Sequence, residues 1–197
     1  GCDVSDTDSV IVNGKRTGER EPLVYYALNK PRGYITSAKD EKGRATVFDL
    51  MTDLTVRVFP VGRLDFDTAG LLIMTNDGEL SNHIAHPKNM VWKTYVAEVS
   101  GGFNISKAEQ LKKGVVLEGQ RTAPARVRIL KQKGDMSLVE IQIHEGRNRQ
   151  VRKMFKAVGC HVSYLERTQI GEVKLGRLHE GDYRRLTPAE INYLKNC

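Results

Sequence analysis

The chain of 197 residues reads as an α+β protein built on a mainly antiparallel, mixed sheet flanked by helices. Segments with strand patterning outnumber helical ones, and short loops join most neighbouring strands. Leu71 to Met74 is an uninterrupted apolar run, the pattern of a strand buried on both faces. Ala125 to Leu130 and Ser137 to Ile143 alternate apolar and polar residues on either side of Lys131 to Asp135, which reads as a hairpin.

Taken in order, residues 1–22 are polar and short of core-forming side chains, with one brief strand, an Asn-Gly turn and then charges. Leu23 to Leu28 is rich in Tyr and aliphatics and predicts a strand running into the turn NKPRG, Asn29 to Gly33. Ala38 to Ala45 is a charged exposed loop suited to ordering on a bound partner. Thr46 to Met51 predicts a short helix and Val56 to Val61 a strand. Asn76-Asp77-Gly78 stops the apolar strand, and Glu79 to Ala85 is a helix ended by His86-Pro87. Trp92 to Val99 alternates as a strand with Tyr95, Ala97 and Val99 on one face. Ser106 to Glu109 reads as a capping box opening a helix that ends near Gly114. Thr187 to Glu190 is another, with Pro188 at the first helical position of a terminal helix.

Composition narrows the partners. No apolar run is long enough to cross a bilayer, and the acidic, polar start Gly1 to Asp8 is unlike a secretory signal. Cys2, Cys160 and Cys197 make neither a metal-ligand spacing nor a disulfide framework, so a reducing, cytoplasmic setting is expected. His83 and His86 have no evident third ligand, so no metal site is expected there. The net charge is +7, and between Arg121 and Arg167 eleven basic side chains face four acids, a surplus as large as that of the whole chain. A localised basic face points to nucleic acid before anionic membrane; a merely solvated face stands as the plain alternative. No exposed apolar stripe advertises an interface, so a monomer is expected.

The central stretch is GRLDFDTAGLLIMTNDG, Gly62 to Gly78. Its opening turn holds Arg63 and Asp65 close together, and Thr68, Ala69 and Gly70 let backbone pack tightly ahead of the buried strand. On residue type alone Asp65 is better read as a turn residue capping local backbone amides. The whole segment, however, closely resembles the signature of the RNA pseudouridine synthases, in the RsuA-type branch that modifies ribosomal RNA. NKPRG matches that family's K-P-x-G element, WKTYV its K-x-Y motif, EGRNRQVRKM its third motif, and GRLHEGDYRRLT, Gly176 to Thr187, its closing G-x-L-x-x-G-x-x-R-x-L-T. The resemblance runs from Leu23 to the C-terminus, so residues 23–197 are expected to form the catalytic domain, with a central active-site cleft. Residues 1–22 resemble the exit of the small N-terminal RNA-binding module of such enzymes, which suggests a chain shortened at its start.

The resemblance also implies roles. It places the catalytic carboxylate on Asp65, a base-stacking tyrosine and candidate proton acceptor on Tyr95, and an arginine paired with the catalytic Asp on Arg152. Periodicity puts Val151, Met154, Phe155 and Val158 on one helical face from about Asn148, with Arg149, Lys153 and Lys156 opposite and Arg152 on the border. Without the motif, Arg152 is equally a snorkelling edge residue, and Tyr95 is better read as a half-buried strand aromatic. Arg63, Lys93, Arg147, Asn148, Arg149, Lys153 and Lys156 are candidates for contacting RNA, chiefly its phosphates. Leu178 is a candidate for the pocket wall.

The implied reaction is isomerisation of a uridine in ribosomal RNA, free or in a ribosomal subunit precursor. The nucleotide is flipped out, its bond to N1 is broken, and the base is rejoined through carbon 5. Asp65 starts cleavage by attack on ribose or base or by proton abstraction, and Tyr95 or Asp65 removes the carbon 5 proton. No redox change occurs, so no cofactor is expected. Two other classes compete: a non-catalytic assembly factor on the same fold, and a phosphodiester hydrolase using Asp65, Asp67 and Asp77 to hold metals.

Overall fold

A computed structural model describes residues 10–12, 15–17, 21–37 and 43–197. Residues 38–42 of the charged loop, Cys2, and most of the segment read as a module exit lie outside the described residues. Within that segment, Val10–Val12 pairs antiparallel with Lys15–Thr17.

The main sheet is built from β1 (Tyr25–Lys30), β2 (Ala69–Thr75), β3 (Lys93–Ser100), β4 (Arg126–Lys133), β5 (Met136–Ile143), β6 (His161–Ile170) and β7 (Tyr183–Arg185). Their order across the sheet is β7-β1-β2-β6-β3-β5-β4. Neighbours run antiparallel except β2 and β6, which are parallel and pair only at Ala69 with Glu166 and Gly70 with Arg167. The expected α+β class and the hairpin β4–β5 are both present.

Strand β2 is buried along its whole length, as its unbroken apolar run requires. Its side chains alternate between two cores. Leu72 and Met74 join Tyr95, Ala97 and Val99 of β3, beneath α2 (Ile105–Lys112) and α3 (Gln150–Ala157). Leu71 and Ile73 join Leu80 and Ile84 of α1 (Gly78–Ala85) and Leu194 of α4 (Pro188–Asn196). Val151, Met154, Phe155 and Val158 are all buried, so the periodic face of α3 is the packed one.

Several boundaries differ from expectation for local reasons. The strand expected over Val56 to Val61 shrinks to Phe59–Pro60, because its partner β2 ends at Thr75, opposite Phe59, and offers residues 56–58 nothing to pair with. Helix α2 begins before Ser106, with Asn104 as its cap: Asn104 Oδ1 accepts from the Lys107 amide at 3.0 Å. Helix α3 begins at Gln150, and Arg149 caps it in a left-handed conformation, φ 52°. Strand β6 was not anticipated, yet it occupies the middle of the sheet.

Gly70 fixes how close β2 and β6 come. Its φ is +105°, and a Cβ there would collide with the Arg167 carbonyl and lie 2.7 Å from the Arg167 amide nitrogen. This is the tight backbone packing expected of the small-residue passage, and it sets Arg167 beside the start of β2.

Candidate active site

The turn Gly62 to Thr68 leads into β2 and forms one wall of a cavity of about 280 Å³. Arg63, Asp65, Lys93, Tyr95, Arg147, Asn148, Arg149 and Arg167 line it, over an apolar floor that includes Val61, Ile84, Leu165 and Ile170. The turn is tied from behind by Thr36, whose hydroxyl donates to the Leu64 carbonyl (2.9 Å) and accepts from the Leu64 amide (3.2 Å). Beneath it lies Lys30, with no exposed surface, donating to the carbonyls of Thr68 and Pro31 at 2.9 Å each. Burial pulls the Lys30 ammonium down to about 8, against the opposing pull of Asp65 and Asp67.

Asp65 keeps about a third of its side chain exposed, and the nearest cation is Arg149 Nη1 at 3.9 Å. The arginine pair expected of it goes elsewhere. Arg152 Nε faces Asp67 Oδ2 at 3.3 Å, Nη2 donates to the Asp67 carbonyl (2.7 Å), and Nη1 donates to the Val162 carbonyl (3.0 Å). Arg149 clamps both oxygens of Asp67 at 2.7 Å each. The reason is the late start of α3: Arg149 lies off the helix, over the turn, and Arg152 reaches the same turn two residues beyond Asp65. The Arg149 bonds, then burial working against them, then the Arg152 charge set the Asp67 carboxyl, and the net is a value below the ordinary one.

Tyr95 is buried on β3, and its hydroxyl is 3.5 Å from Arg167 Nη1. Arg167, which the sequence reading placed on the basic surface, is only 3% exposed. Its Nε donates to the Leu71 carbonyl at 2.7 Å, and its Nη2 is buried without a hydrogen-bond partner. Its signal in the sequence is the run His161 to Ile170, where Val162, Leu165, Arg167 and Ile170 are the inward positions. A charged residue in such a run reads as solvent-facing unless the strand is recognised.

Other candidates separate. Arg63 and Lys93 line the cavity; Lys93 is half-buried and donates to the Val91 carbonyl at 3.2 Å. Arg147 also lines it, held by Glu145 (3.2 Å) and the Arg121 carbonyl (3.0 Å). Lys153 is paired with Glu118 at 2.7 Å beside a second recess that Arg147 and Asn148 share. Lys156 is exposed on α3. Leu178 does not line the cavity; it packs on the Leu71–Ile73 core, and its carbonyl accepts from Asn29 Nδ2 at 2.8 Å. Nor do three carboxylates converge: Asp67 is held by arginines, and Asp77 caps α1, accepting from the Leu80 amide and the Tyr25 hydroxyl.

Comparison with known proteins agrees with this geometry. The Bacillus subtilis ribosomal large subunit pseudouridine synthase B is 46% identical over 197 residues, covering 99% of this chain and 80% of that protein. An uncharacterized RNA pseudouridine synthase of Aquifex aeolicus is 41% identical over 190 residues, 96% of this chain and 76% of the relative. A crystal structure of a pseudouridylate synthase superposes with a TM-score of 0.81 at 34% identity, over 98% of this chain and 83% of the other. The fold alone is shared with an H/ACA ribonucleoprotein bound to a substrate RNA containing 2′-deoxyuridine, at a TM-score of 0.57, 17% identity, and coverage of 77% and 48%. Residues 24–157 match the RNA pseudouridylate synthase family, and with these relatives the match shows that the chain belongs to it.

Proposed function

We propose that the protein converts a uridine of large-subunit ribosomal RNA to pseudouridine, with Asp65 as the catalytic carboxylate. One observation carries the reading: Asp65 and Tyr95 line the same small cavity, with Asp65 left open to it while Asp67 takes the neighbouring arginines. At about 280 Å³ the space lies near the lower end, roughly 300 Å³, of ordinary ligand pockets and suits one flipped nucleoside. Tyr95 stacks on the extruded base, repaying part of a flipping cost of a few kcal/mol with roughly 1–3 kcal/mol of stacking. Arg149 and Arg152 act by fixing the turn through Asp67, which holds Asp65 in place. Arg63, Arg147 and Asn148 carry the RNA strand at the mouth, and Lys156 carries it on the exposed face of α3. The large-subunit assignment is supported by the name of the Bacillus subtilis relative.

The wider setting belongs to the same proposal: residues 23–197 as the catalytic domain, residues 1–22 as the exit of an RNA-binding module, and a monomer in the cytoplasm. The hairpin Val10–Val12 with Lys15–Thr17 forms a sheet of its own, which supports the division. No helix among the described residues is long and apolar enough to cross a membrane.

The test is tritium release from carbon 5 of labelled uridine in large-subunit rRNA, free or in subunit precursors. We expect release by the parent protein and none by Asp65→Ala. Asp65→Ala should keep its RNA affinity and thermal stability, since the carboxylate meets Arg149 only at 3.9 Å. Tight binding without release by the parent would overturn the isomerase reading in favour of an assembly factor.

A further inference from the structure

Lys93 and Arg167 enter the cavity from adjacent strands, β3 and β6, and neither forms an ion pair among the described residues. Arg167 Nη1 lies 3.5 Å from the Tyr95 hydroxyl, while Nη2 is buried and has no partner in the protein. The two charges act on each other: burial first, and then the Arg167 charge, bring the Lys93 ammonium down to about 8. Two cations with no carboxylate of their own, in a partly dry recess, make a site waiting for negative charge. Asp65 shares the cavity but has Arg149 as its nearest cation. RNA phosphates are an unsuitable source, because they stay with the strand at the mouth, where the exposed Arg63 stands. The group that enters this far is the base next to Tyr95.

We propose that Lys93 and Arg167 are catalytic residues that stabilise the uracil while it carries negative charge, donating hydrogen bonds to its carbonyl oxygens. The inference rests on the isomerase reading above and adds a chemical task to it. When the bond from N1 to carbon 1′ breaks, its electron pair stays on the base and spreads over N1 and the two carbonyl oxygens. Asp65 meanwhile either forms an ester at carbon 1′ or takes the carbon 2′ proton. If Asp65 instead adds to carbon 6, the displaced π electrons reach one of these oxygens, that on carbon 4. In each route the base turns and forms the bond from carbon 5 to carbon 1′. That step displaces the Asp65 ester where there is one, or takes back the carbon 2′ proton from Asp65, or is followed by Asp65 leaving carbon 6. The base finally loses the carbon 5 proton and regains one at N1. The product is an isomer of the substrate, so atoms and electrons balance. Donors preset in a water-poor site favour that transient charge over the neutral ground state. The orphan Nη2 of Arg167 and the uncompensated ammonium of Lys93 are such donors.

The test separates charge stabilisation from RNA binding. RNA carrying either uridine or 5-fluorouridine at the target is mixed with excess protein. Loss of the N1-linked nucleoside is followed in a single turnover for the parent, Lys93→Met, Lys93→Arg and Arg167→Lys. Fluorine at carbon 5 withdraws electrons and stabilises the detached base by itself. We expect Lys93→Met to slow uridine turnover by about 100-fold and the fluorinated substrate by clearly less, about tenfold. RNA affinity should change by no more than about threefold, and Lys93→Arg should retain the rate within about tenfold. Arg167→Lys should show the same substrate dependence; if it melts early, Lys93→Met carries the test alone, since Lys93 makes one hydrogen bond. Equal slowing on both substrates, or a loss confined to RNA affinity, would overturn the assignment. An inactive parent protein would instead sink the isomerase reading and this inference with it.

Discussion

Asp67 accepts two 2.7 Å hydrogen bonds from Arg149 and faces Arg152 Nε at 3.3 Å, two residues past Asp65 in the same turn. About a third of the Asp67 side chain is exposed, so the network contributes on the order of 1 kcal/mol rather than the larger value of a buried pair. Its greater effect is geometric, because it anchors the turn to α3 and leaves the Asp65 carboxylate facing the cavity. Folding holds the Asp67 carboxyl below its ordinary 3.8, so as the pH drops the unfolded chain takes up a proton first. The stability it adds is whole above that ordinary value and is lost as the pH falls through the folded one. We expect Asp67→Asn to lower the melting temperature at pH 7 and to flatten the acid limb of stability below about pH 4. It should also lower kcat more than it weakens RNA binding. Unfolding followed from pH 2 to 7 for both proteins checks the first point, and single-turnover kinetics the second. An unchanged acid limb would mean that the arginines find other partners.

Strands β2 and β6 form the element on which the site depends, and Gly70 is where they meet. An alanine there would need a positive φ and would strike the Arg167 backbone, so the strands must part or the turn must move. Gly70→Ala should cost about 2–4 kcal/mol, in the range of severe backbone strain and core disruption. The folded fraction should still lose activity at least about tenfold, because Arg167 would leave the Leu71 carbonyl and Tyr95. Denaturant melts and rates corrected for folded fraction separate the two effects. The same strands show what the sequence made legible. β2 announced itself through four consecutive apolar residues, and β3 and β5 through clean alternation. β6 did not, because Glu166 and Arg167 interrupt its pattern and two irregularities in its pairing with β3 shift the register. With β6 unseen, a buried guanidinium at the centre of the sheet passed for one more surface charge.

For the whole molecule, two cores on opposite faces of one sheet make a rigid frame, and the cavity opens where residues of both cores meet: Ile84 and Ile170 from one, Tyr95 and Leu165 from the other. Motif order along the chain identified Asp65 and Tyr95 as companions but not how the cations divide, since that depends on where α3 starts and on which acids lie nearby. Fewer basic side chains than their number suggests are therefore left to meet phosphate: Arg128 is paired with Glu140, Arg147 with Glu145, Arg149 with Asp67 and Lys153 with Glu118. Arg126 stands over the Trp92 ring at 4.2 Å. This division predicts the salt dependence of RNA binding. A cation that contacts phosphate releases counterions, and its removal lowers the slope of log affinity against log salt by about 1. Arg63→Ala and Lys156→Ala should each lower the slope by about that amount. Lys153→Ala should lower it by less, because its charge is already met by Glu118 at 2.7 Å. Binding of an rRNA fragment across a salt series gives all three slopes. A Lys153 slope change as large as those of the two exposed cations would mean that Glu118 yields its partner to the RNA, and that the second recess between them is part of the path of the strand.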